Sequence, residues 1–563
     1  MRRPAPTPAS LLGVAVLALL CLPARAQGAL EGTWSGPLRT GGFVLEVALD
    51  LRPEGGGLGG ALDVVTQGVY AVPLAVEAVG DSVRAVAPVG GIVVAGRAEG
   101  DTLRATWSQP GASVPLVLAR EETPDLDAAA LDGEWAGSIA ILDEPLALRF
   151  EGGAGTARVG SREPSPVADL RLRGRRVFFA VPADSARFEG VVLGDEVSGT
   201  WAAGGGIYKT DLERAGARAD LPYREEAMAV PSRGGVELAG TLTLPEGDGP
   251  FPAVVLVSGT GPQDRDESML NLKPFAVLAD ALARRGIAVY RYDDRGVGES
   301  TGDFMAAGLD DFAADAGAAT RALAARPETA SVGVVGHSEG AFVAPEVAAE
   351  TPDVDFVVML AGAAVPGAQV YAAQHERIVT VGGVEPGAAA VWRRAIEALV
   401  GALRASDAPA DSLRPALVEA FRDALDGAPP ETLDALDMPD PKAVVTTAGT
   451  VADFVLQPGI RSFLAYDPGP SLAALEVPAL AVFGALDVQI PLEETEAAMR
   501  AALADVPGSD VLVLEDQNHL FQTATTGGME EYTTAGTPMS PAAAEAVADW
   551  VLRTTAAGAG GEE

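Results

Sequence analysis

The chain has 563 residues, 48% of them hydrophobic, with 78 acidic against 40 basic side chains and a formal net charge of −38 at pH 7. A surface this acidic repels phosphate backbones and anionic head groups, which argues against nucleic acid as a partner, and it reads as a solubility feature rather than a signal for a cationic substrate. One cysteine and three histidines leave little material for zinc-thiolate or multi-histidine metal sites.

The first 26 residues have the pattern of an export signal: Arg2 and Arg3, an apolar run from Leu11 to Leu22, and the small-residue site Ala24-Arg25-Ala26 before Gln27. The run is shorter than the roughly 20 residues a membrane-spanning helix needs. Residues 1–26 are therefore predicted to be removed, giving a periplasmic or secreted chain without an integral membrane segment and with its net charge taken from −38 to −41 by loss of Arg2, Arg3 and Arg25. Cys21 leaves with the signal, so no disulfide and no cysteine nucleophile is expected. Leu20 before it does not fit a lipoprotein site.

Residues 29–123 and 130–215 show short alternating segments, such as Phe43 to Leu51 and Leu146 to Phe150, separated by Gly-rich turns. They also repeat. Leu30-Glu31-Gly32-Thr33-Trp34-Ser35-Gly36 returns as Leu131-Asp132-Gly133-Glu134-Trp135-Ala136-Gly137, and Ala105-Thr106-Trp107 returns as Gly199-Thr200-Trp201. Two homologous all-β units follow, each expected to open and close on a Trp-bearing strand as a small meander barrel; a pair of β-sandwiches is the alternative. The tryptophans read as core, although a sugar-binding surface would use them too.

After a linker around Gly216 to Glu226 the pattern changes. Predicted strands at Val236–Leu244, Ala253–Ser258, Ile287–Tyr292, Val332–Val335, Val354–Leu360, Ala479–Phe483 and Val511–Leu514 alternate with helices, the mark of a doubly wound, mostly parallel sheet over residues 222–557. Between the fifth and sixth of these strands an Ala-, Pro- and acid-rich stretch, about 367–457, shows helical periodicity at Val391–Leu403 and Leu413–Leu425. It reads as a helical cap.

The strand Val332–Val335 runs into Gly336-His337-Ser338-Glu339-Gly340 and then a helix-like segment, Ala341 to Glu350. Gly-x-Ser-x-Gly between strand and helix is the pattern of a nucleophile elbow, because the sharp turn that exposes a serine needs neighbours without a Cβ. Serine needs a base to take its proton, and the base needs a carboxylate to fix its tautomer. Asp487 and His519 follow the last two predicted strands and supply these roles in the order Ser, Asp, His. His337 adjoins the serine and is expected to pack beside the elbow. His375 lies in the cap as a surface or substrate-contact residue, and Asp516 is a rival acid better suited to supporting the His519 loop. Oxyanion donors are expected from the backbone amides of Glu339 and Thr260; Pro262 in the same loop cannot donate.

With these residues the sequence resembles the α/β-hydrolase superfamily, in particular its serine aminopeptidase-type branch, which includes bacterial carboxylesterases with an extra N-terminal domain. The motifs are Ser258-Gly259-Thr260-Gly261-Pro262-Gln263-Asp264-Arg265-Asp266, Asp294-Arg295-Gly296-Val297-Gly298-Glu299-Ser300, the elbow, and Asn518-His519, spread over about Tyr223 to Ala557. The resemblance implies hydrolysis of small-molecule esters of small acyl groups with no metal or organic cofactor, and a structural rather than catalytic role for Asp294 to Ser300. A peptidase is the enzymatic alternative. It would need a cap acid, for which Glu376, Glu385 and Glu397 are available, to hold a free amine. A non-catalytic protein binding through its β-units is the alternative of another class. The sequence carries no signal for oligomeric state.

Overall fold

The computed structural model describes residues 30–559, apart from 41–42, 55–56, 65–68, 88–90, 110–111, 122–125, 140–143, 205, 216–220, 270–271, 407 and 533–537. The predicted signal at 1–26 lies outside the described residues, as does most of the first half of the predicted linker. The chain divides into two compact units, residues 1–217 and 218–563.

In the first unit, eight antiparallel strands from β1 (Gly32–Thr40) to β8 (Ala112–Arg120) form a closed barrel, with β8 returning to pair with β1. Nine more, from β9 (Gly133–Ile139) to β17 (Gly206–Arg214), repeat the plan: β17 returns to β9. The second sheet is nearly closed. Its two ends, β12 (Ser165–Pro166) and β13 (Ala168–Arg173), are separated in the chain only by Val167, and Pro166 lacks the N–H that a continuous ladder would use.

One sequence expectation is corrected here. Trp107 and Trp201 sit on the penultimate strands, β7 (Thr102–Gln109) and β16 (Glu196–Ala203), not on the closing ones. The closing strands carry Arg120 and Arg214, which pair directly with Trp34 and Trp135 and lay their guanidinium groups over the indoles at 4.0 and 4.1 Å. Each barrel is thus closed by a cation–π contact that desolvated indoles strengthen. Trp34 and Trp135 are buried and donate Nε1–H to the carbonyls of Leu30 and Leu131 at 2.9 and 2.8 Å, four residues back in the repeat motif. The glycine that ends the motif has a steric reason as well. A Cβ on Gly36 would lie 2.7 Å from the Val117 carbonyl oxygen, and one on Gly137 would strike that of Asp211, both on the closing strands.

Between the two barrels lies a cluster of charges. Asp50, Asp63 and Arg176 are buried; Arg176 pairs with Asp63, and Arg52 bridges Asp50 at 3.0 Å and Glu189 at 2.5 Å. Burial outweighs these cations at Glu189 and pushes its carboxyl up to about 7. Removing one member of such a cluster strands the others in a poorly solvated place. Arg176→Met is expected to cost about 3 kcal/mol of stability in urea titrations of the full chain. An unchanged midpoint and slope would mean that these charges do not lock the barrels together.

The second unit is built on an eight-stranded sheet. Its strands are β18 (Tyr223–Pro231), β19 (Glu237–Pro245), β20 (Phe251–Val257), β21 (Ala288–Tyr292), β22 (Thr329–His337), β23 (Phe356–Leu360), β24 (Ala479–Gly484) and β25 (Asp510–Leu514). The spatial order is β18-β19-β21-β20-β22-β23-β24-β25, antiparallel at β18/β19/β21 and parallel from β21 onward. This is the α/β-hydrolase sheet. Strands β21, β23 and β24 are buried along their whole length because helices cover both faces, and their runs of Val, Ala, Leu and Tyr follow from that. Helix α1 (Pro274–Arg284) packs on β21, while α2 (Leu309–Ala324) and α3 (Glu339–Glu350) pack on β22.

Strand β18 occupies residues that the sequence assigned partly to the linker. It is an edge strand on which only Val230 is fully buried, so it lacks the apolar run of its neighbours. The cap lies between β23 and β24. It comprises α4 (Gly367–Val381), α5 (Pro386–Arg404), α6 (Ala410–Ala424), α7 (Pro430–Ala435), α8 (Pro441–Val455), α9 (Pro458–Ala465) and α10 (Gly469–Ala473), so helices continue beyond residue 457. Each of α5, α7, α8 and α9 begins with proline in its first turn, where the missing N–H costs nothing. After the cap come α11 (Leu492–Leu503) and α12 (Pro541–Ala559). Among the described residues no single helix is long and apolar enough to cross a membrane.

Candidate active site

Strand β22 ends at His337, α3 begins at Glu339, and Ser338 makes the turn between them with φ 53° and ψ −114°. Residues with a Cβ avoid this region, so the surroundings must hold the serine there. They do so by close approach. A Cβ on Gly336 would run into the backbone of Gly340, and one on Gly340 would lie 2.6 Å from the Ser258 carbonyl oxygen. Ser338 donates its N–H to the Leu360 carbonyl at 2.9 Å, tying the elbow to the end of β23. The serine itself is half-buried, whereas its neighbours His337 and Glu339 are fully buried.

Asp487 follows β24 and His519 follows β25, so both stand at the same end of the sheet as Ser338. His519 Nδ1 donates to Asp487 Oδ2 at 2.8 Å. The other carboxylate oxygen, Oδ1, accepts the amides of Gln489 at 2.7 Å and Ile490 at 2.8 Å, which fixes the acid's plane. With Nδ1 committed to the carboxylate, Nε2 of a neutral His519 is the basic nitrogen. Asn518 braces the same loop through its side chain, accepting from Leu520 and Gln522 amides at 3.0 Å each. Asp516 is occupied with the Gln517 side chain at 3.0 Å and does not meet His519. Among the described residues no hydrogen bond joins the Ser338 hydroxyl to His519; the ring of His337 lies 4.9 Å from that of His519. Catalytic hydrogen bonds of this kind often close only when substrate is present.

The loop after β20 lies against Ser338: a Cβ on Gly259 would be 3.2 Å from that of Ser338. Thr260 is exposed next to it. Burial pushes the Glu339 carboxyl up to about 7, against a smaller opposing effect of the Thr260 hydroxyl. Asp294 sits beneath the loop, accepting from Ser258 Oγ at 2.8 Å and the Gln263 amide at 3.0 Å, and burial pushes it up to about 8. Arg295 is held by Asp315 through two contacts of 2.7 Å, and Arg265 by Asp293 at 2.6 Å. Asp293 and Asp294 therefore brace the loop after β20.

Sequence reasoning passed over Glu267. It is 1% exposed, has φ 52°, and accepts from both His337 and the Gly259 amide. Nothing in its local sequence, a Gly-Pro-Asp-rich loop, distinguishes it from a surface acid. His375 is half-buried: it packs edge-on to Tyr371 with centroids 4.5 Å apart and accepts from Trp392 Nε1 at 3.3 Å inside the cap, where burial pushes it down to about 4. Among the described residues no group of three or more His, Cys, Asp and Glu side chains is arranged to hold a metal.

The strand order and the elbow have the form of the α/β-hydrolase fold. The family model described as serine aminopeptidase, S33, matches residues 271–396. Esterase EstD of Thermotoga maritima is 30% identical over 287 residues, 50% of this chain and 58% of that protein, so the match spans less than two-thirds of the relative's length. Similar solved structures include an esterase of Pyrococcus furiosus, Pf2001, at 13% identity over 60% of this chain and 94% of that one with a TM-score of 0.36. Est1E of Butyrivibrio proteoclasticus, solved with ferulic acid, is 15% identical over 59% of this chain and 100% of that one, with a TM-score of 0.33.

The two raised carboxyls have a consequence for stability. In the unfolded chain, Asp294 and Glu339 ionise near pH 4. In the folded chain they keep their protons up to about 8 and about 7. The folded state therefore binds more protons across that interval, and its stability falls as pH rises through it. Asp294→Asn is expected to flatten the decline of Tm between about pH 5 and 8; an identical slope in the variant would show that Asp294 titrates alike in both states.

Proposed function

We propose that this chain is a serine hydrolase that cleaves carboxylic esters of small acyl groups through an acyl-enzyme, with Ser338 as nucleophile, His519 as base and Asp487 as its orienting acid. The observation that carries this reading is the Asp487–His519 hydrogen bond of 2.8 Å at strand ends next to a serine held in a strained elbow. Ser338 Oγ adds to the ester carbonyl carbon as its proton passes to His519 Nε2. The amides of Glu339 and Thr260 receive the oxyanion, and the alcohol leaves with the proton from His519. Water then repeats the sequence on the acyl-enzyme, returning Ser338. Every group the cycle needs is a side chain or amide of this chain, so no cofactor is invoked. Export to the periplasm or beyond, on the pattern of residues 1–26, belongs to the same reading.

One observation favours an ester over a peptide substrate. Of the cap acids that could hold a free amine, Glu376 and Glu397 are both paired with Arg393, at 3.1 and 2.9 Å, and Glu385 is exposed at the start of α5. A binding protein descended from an enzyme would have no reason to keep Asp487 saturated by His519 and two amides.

Hydrolysis of p-nitrophenyl esters from acetate to laurate, run beside aminoacyl-p-nitroanilides, tests the reading. The full chain is expected to turn over the shorter esters and no anilide, and Ser338→Ala is expected to lose at least roughly a thousandfold in kcat/KM. Ester turnover that survives Ser338→Ala, or anilide cleavage that exceeds it, would overturn the assignment.

A further inference from the structure

His337 and Glu267 form a second carboxylate–imidazole pair beside the proposed triad. His337 Nδ1 lies 2.8 Å from Glu267 Oε1, and Nε2 lies 3.0 Å from the carbonyl oxygen of His519. A carbonyl oxygen only accepts, so Nε2 carries a hydrogen. Two lone pairs would repel at 2.8 Å, so a proton also lies between Nδ1 and Oε1. Glu267 Oε1 accepts the Gly259 amide at 2.7 Å as well, a short contact that suits an ionised carboxylate. The arrangement is satisfied when His337 is an imidazolium donating from both nitrogens to a Glu267 carboxylate on one side and the His519 main chain on the other.

The surroundings agree. His337 and Glu267 are 3% and 1% exposed, and Glu267 Oε2 is buried with no hydrogen-bond partner among the described residues, so the imidazolium is the carboxylate's compensating charge. The groups that face the pair are His519, with its ring 4.9 Å from that of His337, Asp487 behind it, the Phe521 ring at 6.3 Å, and Asp294 on the side of Glu267. Burial alone would strip the ring of its proton; the Glu267 carboxylate outweighs it and holds His337 above the ordinary histidine value.

We propose that Glu267 and His337 are positioning residues for the hydrolytic site: a buried ion pair that ties the oxyanion loop at Gly259 to the backbone of His519. The inference rests on the serine-hydrolase reading above. The pair joins three separate parts of the chain, since Glu267 follows β20, His337 ends β22 and His519 follows β25. Through it, the amide that flanks Thr260 and the main chain of the base are fixed to one another without passing through Ser338.

Ring nitrogen signals of the full chain labelled with 15N-histidine test the protonation directly, since only three histidines are present. His337 is expected to carry hydrogen on both nitrogens throughout about pH 6 to 8, where a free imidazole would lose one. An unprotonated Nδ1 at neutral pH would overturn the ion pair, and this measurement needs no variant. In Glu267→Gln the carboxylate that holds both the Gly259 amide and His337 is lost. kcat is then expected to fall at least roughly tenfold with KM little changed, and Glu267→Asp to recover part of the loss. An unchanged kcat in Glu267→Gln would overturn the positioning role. Labelling of Ser338 by a serine-directed phosphonate separates this from the underlying reading: wild-type chain that fails to label sinks the hydrolase assignment, whereas normal labelling with an unchanged kcat sinks only the role of Glu267 and His337.

Discussion

A hydroxyl can be presented at the tip of a strand-to-helix turn only if the chain reverses within about three residues, and this molecule's second unit is arranged around that reversal at Ser338. The positive φ of the serine is held from three directions: Gly340 against the end of β20, Gly336 against the first turn of α3, and the Ser338 amide on the carbonyl of Leu360. A side chain at Gly340 would push α3 away from the end of β20, and one at Gly336 would strike the first turn of α3. The close approach at Gly340 also brings the Gly259 loop to the serine, so Ser338 and the loop after β20 are set by one packing constraint.

The parts legible in the sequence were those with a local signature. Central strands such as Val332–Val335 and Ala479–Phe483 announce themselves as short apolar runs, and the residues just beyond them are pinned in space by the sheet, so the places of Ser338, Asp487 and His519 at strand ends could be read from motif and position. Edge strand β18 has no such run, because one side of it faces water. The misassigned closing strands of the barrels have a similar cause. The Trp repeat was visible, but its partner, an arginine on the next strand, is chemically ordinary in sequence and becomes special only when Arg120 and Arg214 lie over Trp34 and Trp135. Glu267 was beyond reach for a further reason. Its partner His337 is 70 residues away, and the Gly-rich loop that carries Glu267 reads as solvent-exposed.

Charge is handled differently in the two units. Between the barrels, the buried Asp50 and Asp63 are met by Arg52 and Arg176, and a fixed ionic cluster results. Beside the elbow, Asp294 and Glu339 are buried and, among the described residues, paired with no cation, so burial pushes them toward the neutral form. On the proposed reading a neutral Glu339 side chain would not oppose the negative charge of an oxyanion held by the Glu339 and Thr260 amides.

The cap and Asp487 are not independent. Gln489, whose amide fixes Asp487, accepts from Gln374 of α4 at 3.2 Å and donates to Tyr532 at 2.9 Å. A few residues on, Glu494 of α11 receives Gln369 at 3.0 Å and Arg393 at 2.9 Å, both from the cap. The cap helices therefore rest on the same short segment, Asp487 to Glu494, that sets the plane of the carboxylate. On the proposed reading a substrate that shifted the cap would also shift the partner of His519, so the range of accepted substrates and the efficiency of the base would be constrained together rather than tuned one at a time.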